Sequence, residues 1–284
     1  MRFLPPVIPI SAGKRGNNIA ENGFQQMLQW LFLDDGQGSG AENMAADEFI
    51  LKIVRESDIG AILRIYSFDP PAVTVGYHQD PGNVLDLASL RRDRMPLVRR
   101  ITGGRALLHD DEITYCLAAS VDGGVFQQNL RERFMAVSEA LRDALSICGV
   151  KARISRGRKE SARGEMTSPC LASVSQHEIT AGGRKIVASA QRSCGSVFIQ
   201  HGSILLDGGA KRISEYLKGD WGDFDRHVTS IKKETGTNPG YSRCAEVLKE
   251  AFSAKFRVNF RDLKLSGEDR SYIKDAAGKK AAEF

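Results

Sequence analysis

Residues 99–111, RRITGGRALLHDD, place three arginines, a Gly-Gly pair, an apolar run and a His-Asp pair side by side. Glycines in such a place let a backbone turn sharply or lie against a ligand. Arginines favour an anionic neighbour, because the planar guanidinium matches carboxylates and phosphates. Two readings follow. The segment is either a β-hairpin turn with solvated charges, or a Gly103-Gly104 loop whose Arg99, Arg100 and Arg105 meet something anionic. Cysteine offers a second kind of chemistry. Cys116, Cys148, Cys170, Cys194 and Cys244 are widely spaced and form no CxxC, so neither a disulfide framework nor a zinc site is expected. Cys116 falls within a strand, Cys148 on an apolar helix face, and Cys244 beside Val247 and Leu248; all three read as small buried hydrophobes. Cys170 differs. It follows Pro169 at the end of a loop holding Arg156, Arg158, Lys159 and Arg163, where positive charge would favour a nucleophilic thiolate. Lys185, amid GRKIVASAQ, is expected to be partly buried and held still, with an ordinary exposed strand lysine as the alternative. His109 and His201 are lone strand histidines that also read as structural.

The elements that must position these groups follow from periodicity. Residues 1–26 read as an irregular extension. QWLFLDD predicts a strand, followed by a glycine loop and a helix from about Glu42, with Met44, Phe49, Ile50 and Ile53 on one face. AILRIYSF and AVTVGYH, separated by Pro70-Pro71, are expected to pair as strands. MPLVRRI, RALLHD and EITYCLAAS continue the strand pattern. Phe134, Val137, Leu141, Leu145 and Cys148 recur at helical spacing over 129–148, with Gly149 at the C-terminal cap. KARIS reads as a strand, SQHEIT and RKIVASAQ as a hairpin around AGG, and SVFIQHGSILL as the next strand. Beyond residue 220 the pattern turns helical, with RVNF as a short strand and Ser266 and Asp269 in capping-box positions. Many strands among a few long helices predict an α+β fold with a large mixed sheet. The expected division is a catalytic domain over 27–220 and a small C-terminal α/β appendage over 221–284.

The 284 residues carry a mild net charge of +5, with which nucleic acid, for which no recognition module stands out, and an acidic protein partner are equally compatible. No run approaches a membrane span, and the N-terminal segment lacks a secretory pattern. A reducing cytoplasm is therefore expected.

Taken in order, NMAADE, PPAVTVGYHQD, RRITGGRALLHDDEITY, SPC, GRKIVASAQ and QHGSILL resemble the biotin/lipoate ligase superfamily over roughly residues 28–260. Within it, the chain is most similar to the cysteine-dependent octanoyltransferases of the LipM type. The resemblance implies a central mixed β-sheet flanked by helices. It implies transfer of an octanoyl group from acyl carrier protein to a lysine of a lipoyl domain, of a 2-oxoacid dehydrogenase or of the glycine cleavage H protein. On that pattern Cys170 is the nucleophile that carries the acyl thioester and Lys185 is the family's lysine. Gly76, Gln79, Arg99, Arg100, Gly103, Gly104, Arg105, His109, Ser189, Gln191, His201 and Gly202 fall at substrate-binding positions. No ATP, other cofactor or metal is expected. Ala188 stands where the family has glycine, Leu171 replaces a phenylalanine, and SVSQHE replaces a more aromatic stretch; these changes bear on the acyl pocket. The alternatives are an ATP-dependent lipoate–protein ligase, against which SPC argues, an enzyme moving octanoyl groups between lipoyl proteins, and a non-catalytic acyl-protein binding module.

Overall fold

The computed structural model describes residues 28–122, 125–126, 129–155, 178–219 and 226–283. The expectations for residues 1–26 and for the basic loop bearing Cys170 lie outside them. Strand β1 (Gln29–Gly38) shows the logic of the core. Trp30 and Phe32 enter one apolar cluster, while Leu31 and Leu33 enter another. A strand apolar on both faces belongs inside a sheet covered on both sides. It is joined by β2 (Ile59–Phe68), β6 (Glu112–Ser120), β7 (Ala152–Ile154), β8 (Ile179–Ala181), β9 (Arg184–Cys194), β10 (Val197–Leu205) and β11 (Phe260–Asp262). Their order is β11-β1-β2-β6-β10-β9-β8-β7. Both β11 and β2 run parallel to β1, and the remaining pairs are antiparallel. The expected α+β class with a mixed sheet is observed.

The α-helices are α1 (Gly40–Glu56), the short α2 (Leu87–Arg92), α3 (Leu130–Ile147), the short α4 (Ile231–Thr235), α5 (Gly240–Phe256) and α6 (Gly267–Ala281); α3 and α5 cover one face of the sheet, and α1 and α6 the other. Helix α1 starts at a Ser39–Glu42 capping box, which satisfies two backbone donors at once. Helix α3 starts at Asn129 and ends before Gly149, whose φ of 84° is the left-handed conformation a glycine tolerates. The Ser266–Asp269 box caps α6 as the sequence predicts. From residue 240 the C-terminal residues form the two expected helices and a short strand, which starts at Phe260, the last residue of RVNF, but they are built into the core. β11 extends the main sheet, Phe252 and Leu248 sit in the same apolar cluster as Leu141, and Ile273 packs with the α1 residues.

The expected pairing of AILRIYSF with AVTVGYH is not formed. β2 already has β1 on one edge and β6 on the other. The next strand, β3 (Ala72–Val75), therefore leaves for a second, three-stranded sheet, between β4 (Leu97–Arg99) and β5 (Leu107–His109). It runs parallel to β4 and antiparallel to β5. This also removes the hairpin reading of residues 99–111. β4 and β5 lie on opposite sides of β3, so the Gly-Gly segment crosses over the end of β3 instead of turning back on its neighbour.

Candidate active site

That crossing builds a site. Arg100 N–H donates to the Val75 carbonyl at 3.0 Å, and Tyr77 N–H donates to the Thr102 carbonyl at 2.8 Å. The buried Arg100 guanidinium donates to the carbonyls of Gly103 (3.0 Å) and Arg105 (2.8 Å) and to Thr74 Oγ1 (3.0 Å). It is a brace, held by the loop it shapes. Arg99 caps the carbonyls of Gly76 and Gln79 and pairs with Glu283 near the C-terminus. Gly103 and Arg105 contribute their carbonyls to this bracing. Gln79 is buried and accepts from Gly76 N–H.

Gly76 is needed for close approach. A Cβ there would stand 2.0 Å from the Gly104 carbonyl oxygen, and Gly104 itself has φ of 95°. Gly76→Ala forces backbone apart at a packed crossing, and overpacking of this kind costs about 1–3 kcal/mol. Chemical denaturation should show a lowered midpoint with an unchanged slope. An unchanged midpoint would mean that the loop yields freely.

Beneath the loop lies a pocket whose wall is mostly apolar, with Met44, Leu107, Ala188 and Ala190 on it. Of the residues singled out from sequence, Arg100, Gly104, His109, Ser189, His201 and Gly202 line it. Arg99, Gly76, Gln79, Gly103 and Arg105 serve the loop instead. Gly202 lets β10 run close to β9, since a Cβ there would lie 2.4 Å from the Ala188 carbonyl. Ser189 Oγ lies 2.8 Å from the Tyr115 hydroxyl, which accepts from Gln200, which in turn accepts from Gln191. Gln191 thus reaches the site only through this chain.

Both histidines are buried and anchored by carboxylates. His109 Nδ1 meets Glu112 at 2.7 Å and its Nε2 meets Thr74 Oγ1 at 2.8 Å. His201 Nδ1 meets Asp47 at 2.7 Å and its Nε2 meets Thr102 Oγ1 at 2.6 Å. Asp47 also accepts from Arg64 at 2.7 Å and Tyr66 at 2.9 Å. Burial alone would raise the Asp47 pKa, but the His201 hydrogen bond and the Arg64 charge outweigh it and hold the carboxyl below its usual range. Asp47, Cys116 and His201 place donor atoms within 4.8 Å of one another. They make a poor metal site. Asp47 already accepts from three partners, a guanidinium adjoins it, and burial pushes the Cys116 thiol up, away from the thiolate a metal requires.

Lys185 is more deeply held than its sequence setting suggests. It is 1% exposed, its Nζ donates to Glu178 Oε1 at 2.6 Å, and its backbone bonds to His227 and Thr229. It lies outside the cavity wall described above. Cys170 belongs to residues outside those described. Among the described cysteines Cys116 and Cys244 are buried as expected, whereas Cys148 sits half-buried at the rim of the α3–α5 core. The Cys244 thiol donates to Cys148 and holds its pKa down at about 7, against burial, which raises it; the same bond and burial push Cys244 up. Alkylation of the folded protein should therefore reach Cys148 first among Cys116, Cys148, Cys194 and Cys244. Its rate should climb as pH rises through 7, where the thiolate forms. Peptide mapping across that range checks it, and labelling of Cys116 ahead of Cys148 would contradict it.

Sequence reading missed Asp47, Thr102, Thr74 and Glu112. Asp47 carried a signal: it is a charged residue on the apolar face of α1, between Met44 and Ile50. The threonines carried none, because small polar residues in loops and strands are common.

A profile of the lipoyl protein ligase A/B catalytic domain matches residues 39–253. An octanoyltransferase LipM of Kyrpidia tusciae is 31% identical over 272 residues, covering 90% of this chain and 98% of that protein. The LipM of Moorella thermoacetica is 41% identical over 177 residues, covering 62% of this chain and 65% of its own. In three dimensions, a lipoate-protein ligase A bound with ATP superposes with a TM-score of 0.75 at 22% identity, over 90% of this chain and 97% of that one. A putative lipoate protein ligase from Thermoplasma acidophilum with bound lipoic acid gives 0.71 at 22%, over 90% and 96%.

Proposed function

The chain belongs to the lipoyl protein ligase A/B catalytic-domain family, in its octanoyltransferase branch, and we propose that it moves an octanoyl group from acyl carrier protein to a lipoyl-domain lysine through a Cys170 thioester. In the first step the Cys170 thiolate attacks the donor carbonyl. A new C–S bond forms, and the carrier thiolate leaves and takes up a proton. In the second step the acceptor amine attacks the enzyme thioester, an amide forms, the Cys170 thiolate leaves, and the amine gives up its extra proton. Sulfur is an adequate leaving group both times, so one hard transfer becomes two easier ones. The donor arrives already activated, so the chemistry calls for no ATP and no metal.

One observation carries this reading: a mostly apolar cavity roofed by the Gly103-Gly104 loop, in a protein whose relatives are octanoyltransferases. An acyl chain suits such a wall, because burying each methylene is worth roughly 0.8 kcal/mol. Backbone N–H groups of the loop and the Lys185 ammonium are the donors proposed for negative charge developing on the acyl carbonyl. The partners proposed here, carrier protein and lipoyl domain, would be drawn as acidic proteins to a chain of net charge +5.

The ATP-dependent ligase reading is separated from this one by the donor. A lipoyl domain is offered octanoyl-carrier protein without ATP, or free octanoate with ATP, and its lysine is assayed. Acylation only with the first supports transfer, and acylation only with the second overturns it in favour of the ligase.

A further inference from the structure

We propose that Asp47, His201 and Thr102 form a positioning relay that holds the Gly103-Gly104 loop over the cavity, an inference that rests on the loop having the role proposed above. The three side chains are 0%, 5% and 0% exposed, and they come from α1, β10 and the loop. Asp47 is a carboxylate and can only accept, so His201 Nδ1 carries the proton between them, and the ring plane is fixed. That leaves Nε2 aimed at Thr102 Oγ1 at 2.6 Å. Thr102 directly precedes the Gly-Gly pair, and its carbonyl also accepts from Tyr77. Anchoring this hydroxyl therefore sets where residues 103 and 104 begin.

Arg64 explains why the anchor does not drift. It donates to Asp47 at 2.7 Å and Asp35 at 2.6 Å, reaches Asn43 Oδ1 at 2.8 Å, and lies over the Tyr66 ring at 3.8 Å. Asp47 is thus pinned from the sheet side, and its other oxygen serves His201 and Tyr66. A matching arm reaches the loop from the opposite direction. Glu112 orients His109, His109 orients Thr74, and Thr74 receives the Arg100 guanidinium that braces Gly103 and Arg105. Thr102 has no exposed surface and is absent from the cavity wall, so it is unsuited to be a nucleophile although it stands where a hydroxyl would in a Ser-His-Asp arrangement. His201 lines the cavity, but its Nε2 is occupied by Thr102. The arrangement positions; it does not attack.

The test uses Thr102, because Asp47→Asn leaves the buried Arg64 short of charge and risks the fold. Thr102→Val keeps the shape and removes the hydroxyl; Thr102→Ser keeps the hydroxyl. Amide hydrogen exchange at residues 103–105 is followed in all three proteins, together with the rate of enzyme acylation by octanoyl-carrier protein. Thr102→Val should exchange faster at these amides and lose about 10- to 100-fold in kcat with little change in KM, the effect of a reacting geometry displaced by a fraction of an ångström. Thr102→Ser should restore both. Unchanged exchange in Thr102→Val, or failure of Thr102→Ser to rescue, overturns the relay. Exchange needs no acyl donor. A protein that never acylates but loosens its loop in Thr102→Val therefore keeps the relay and refutes the proposed function, so the two failures are told apart.

Discussion

Cys170→Ala is expected to abolish acyl transfer while leaving the fold intact. The substitution removes the only atom of this protein that bonds to the acyl group in the proposed mechanism, so no lesser path to the enzyme thioester remains. The control is specific. Cys116→Ala, Cys148→Ala and Cys244→Ala should keep transferring, because Cys116 and Cys244 are buried in the cores and Cys148 sits at the rim of one. Truncating a buried cysteine leaves a small cavity and costs stability, not chemistry. Cys148 is the control that matters most, since its thiol is held down at about 7 and would mimic a reactive cysteine in any labelling assay. Acyl transfer at the wild-type rate in Cys170→Ala, or its loss in Cys148→Ala with the fold preserved, would end the assignment.

Lys185→Ala should cost about 100- to 1,000-fold in transfer, the usual effect of losing one donor to a developing oxyanion. Two roles for the ammonium make different forecasts. If it only favours the Cys170 thiolate, the variant's thiol pKa rises, and raising the pH restores activity. If it also donates to the acyl carbonyl, high pH does not replace the donor. We expect a raised alkylation pKa at Cys170 and only partial rescue of transfer. The ion pair with Glu178 adds a condition. Lys185 is 1% exposed and Glu178 mostly buried, and removing one partner of a buried pair destabilises by about 3–5 kcal/mol. The rate must therefore be read at a temperature where the variant is folded. Lys185→Arg keeps the charge but places a wide planar fork in a site that holds a compact ammonium, so it should not restore full activity. An unchanged Cys170 alkylation profile with wild-type transfer in folded Lys185→Ala would make Lys185 an ordinary core lysine.

What the sequence disclosed and what it withheld divide along physical lines. Helix α3 was legible because its apolar residues recur at three and four and its caps are Asn129 and Gly149. The strands β1, β6 and β10 were legible as short runs rich in apolar residues, a signal just as local. The partner of β3 was not, because strand pairing depends on which edges remain free, and β2 had none. The buried place of the C-terminal helices was also hidden: α6 is largely polar, and its few inward residues, Ile273 and Ala277 among them, announce packing only once α1 is beside them. At the site, Arg100 and the glycines stood out by type, but their roles depend on contacts across β3, which no spacing reveals. Asp47 was visible as a charge on an apolar helix face, and its partner His201 lies 154 positions away. Six of the residues singled out meet at one cavity, while Lys185 sits apart from it beside Glu178.

Passage of the octanoyl group through Cys170 is read out by mixing the protein with octanoyl-carrier protein, without ATP and without acceptor, and weighing the intact chain by mass spectrometry. The expected result is a mass increase of one octanoyl group, mapped to the peptide containing Cys170, lost with hydroxylamine as a thioester is, and discharged when a lipoyl domain is added. An unmodified chain that nonetheless acylates the lipoyl domain, or an octanoyl group mapped to another residue, would contradict it.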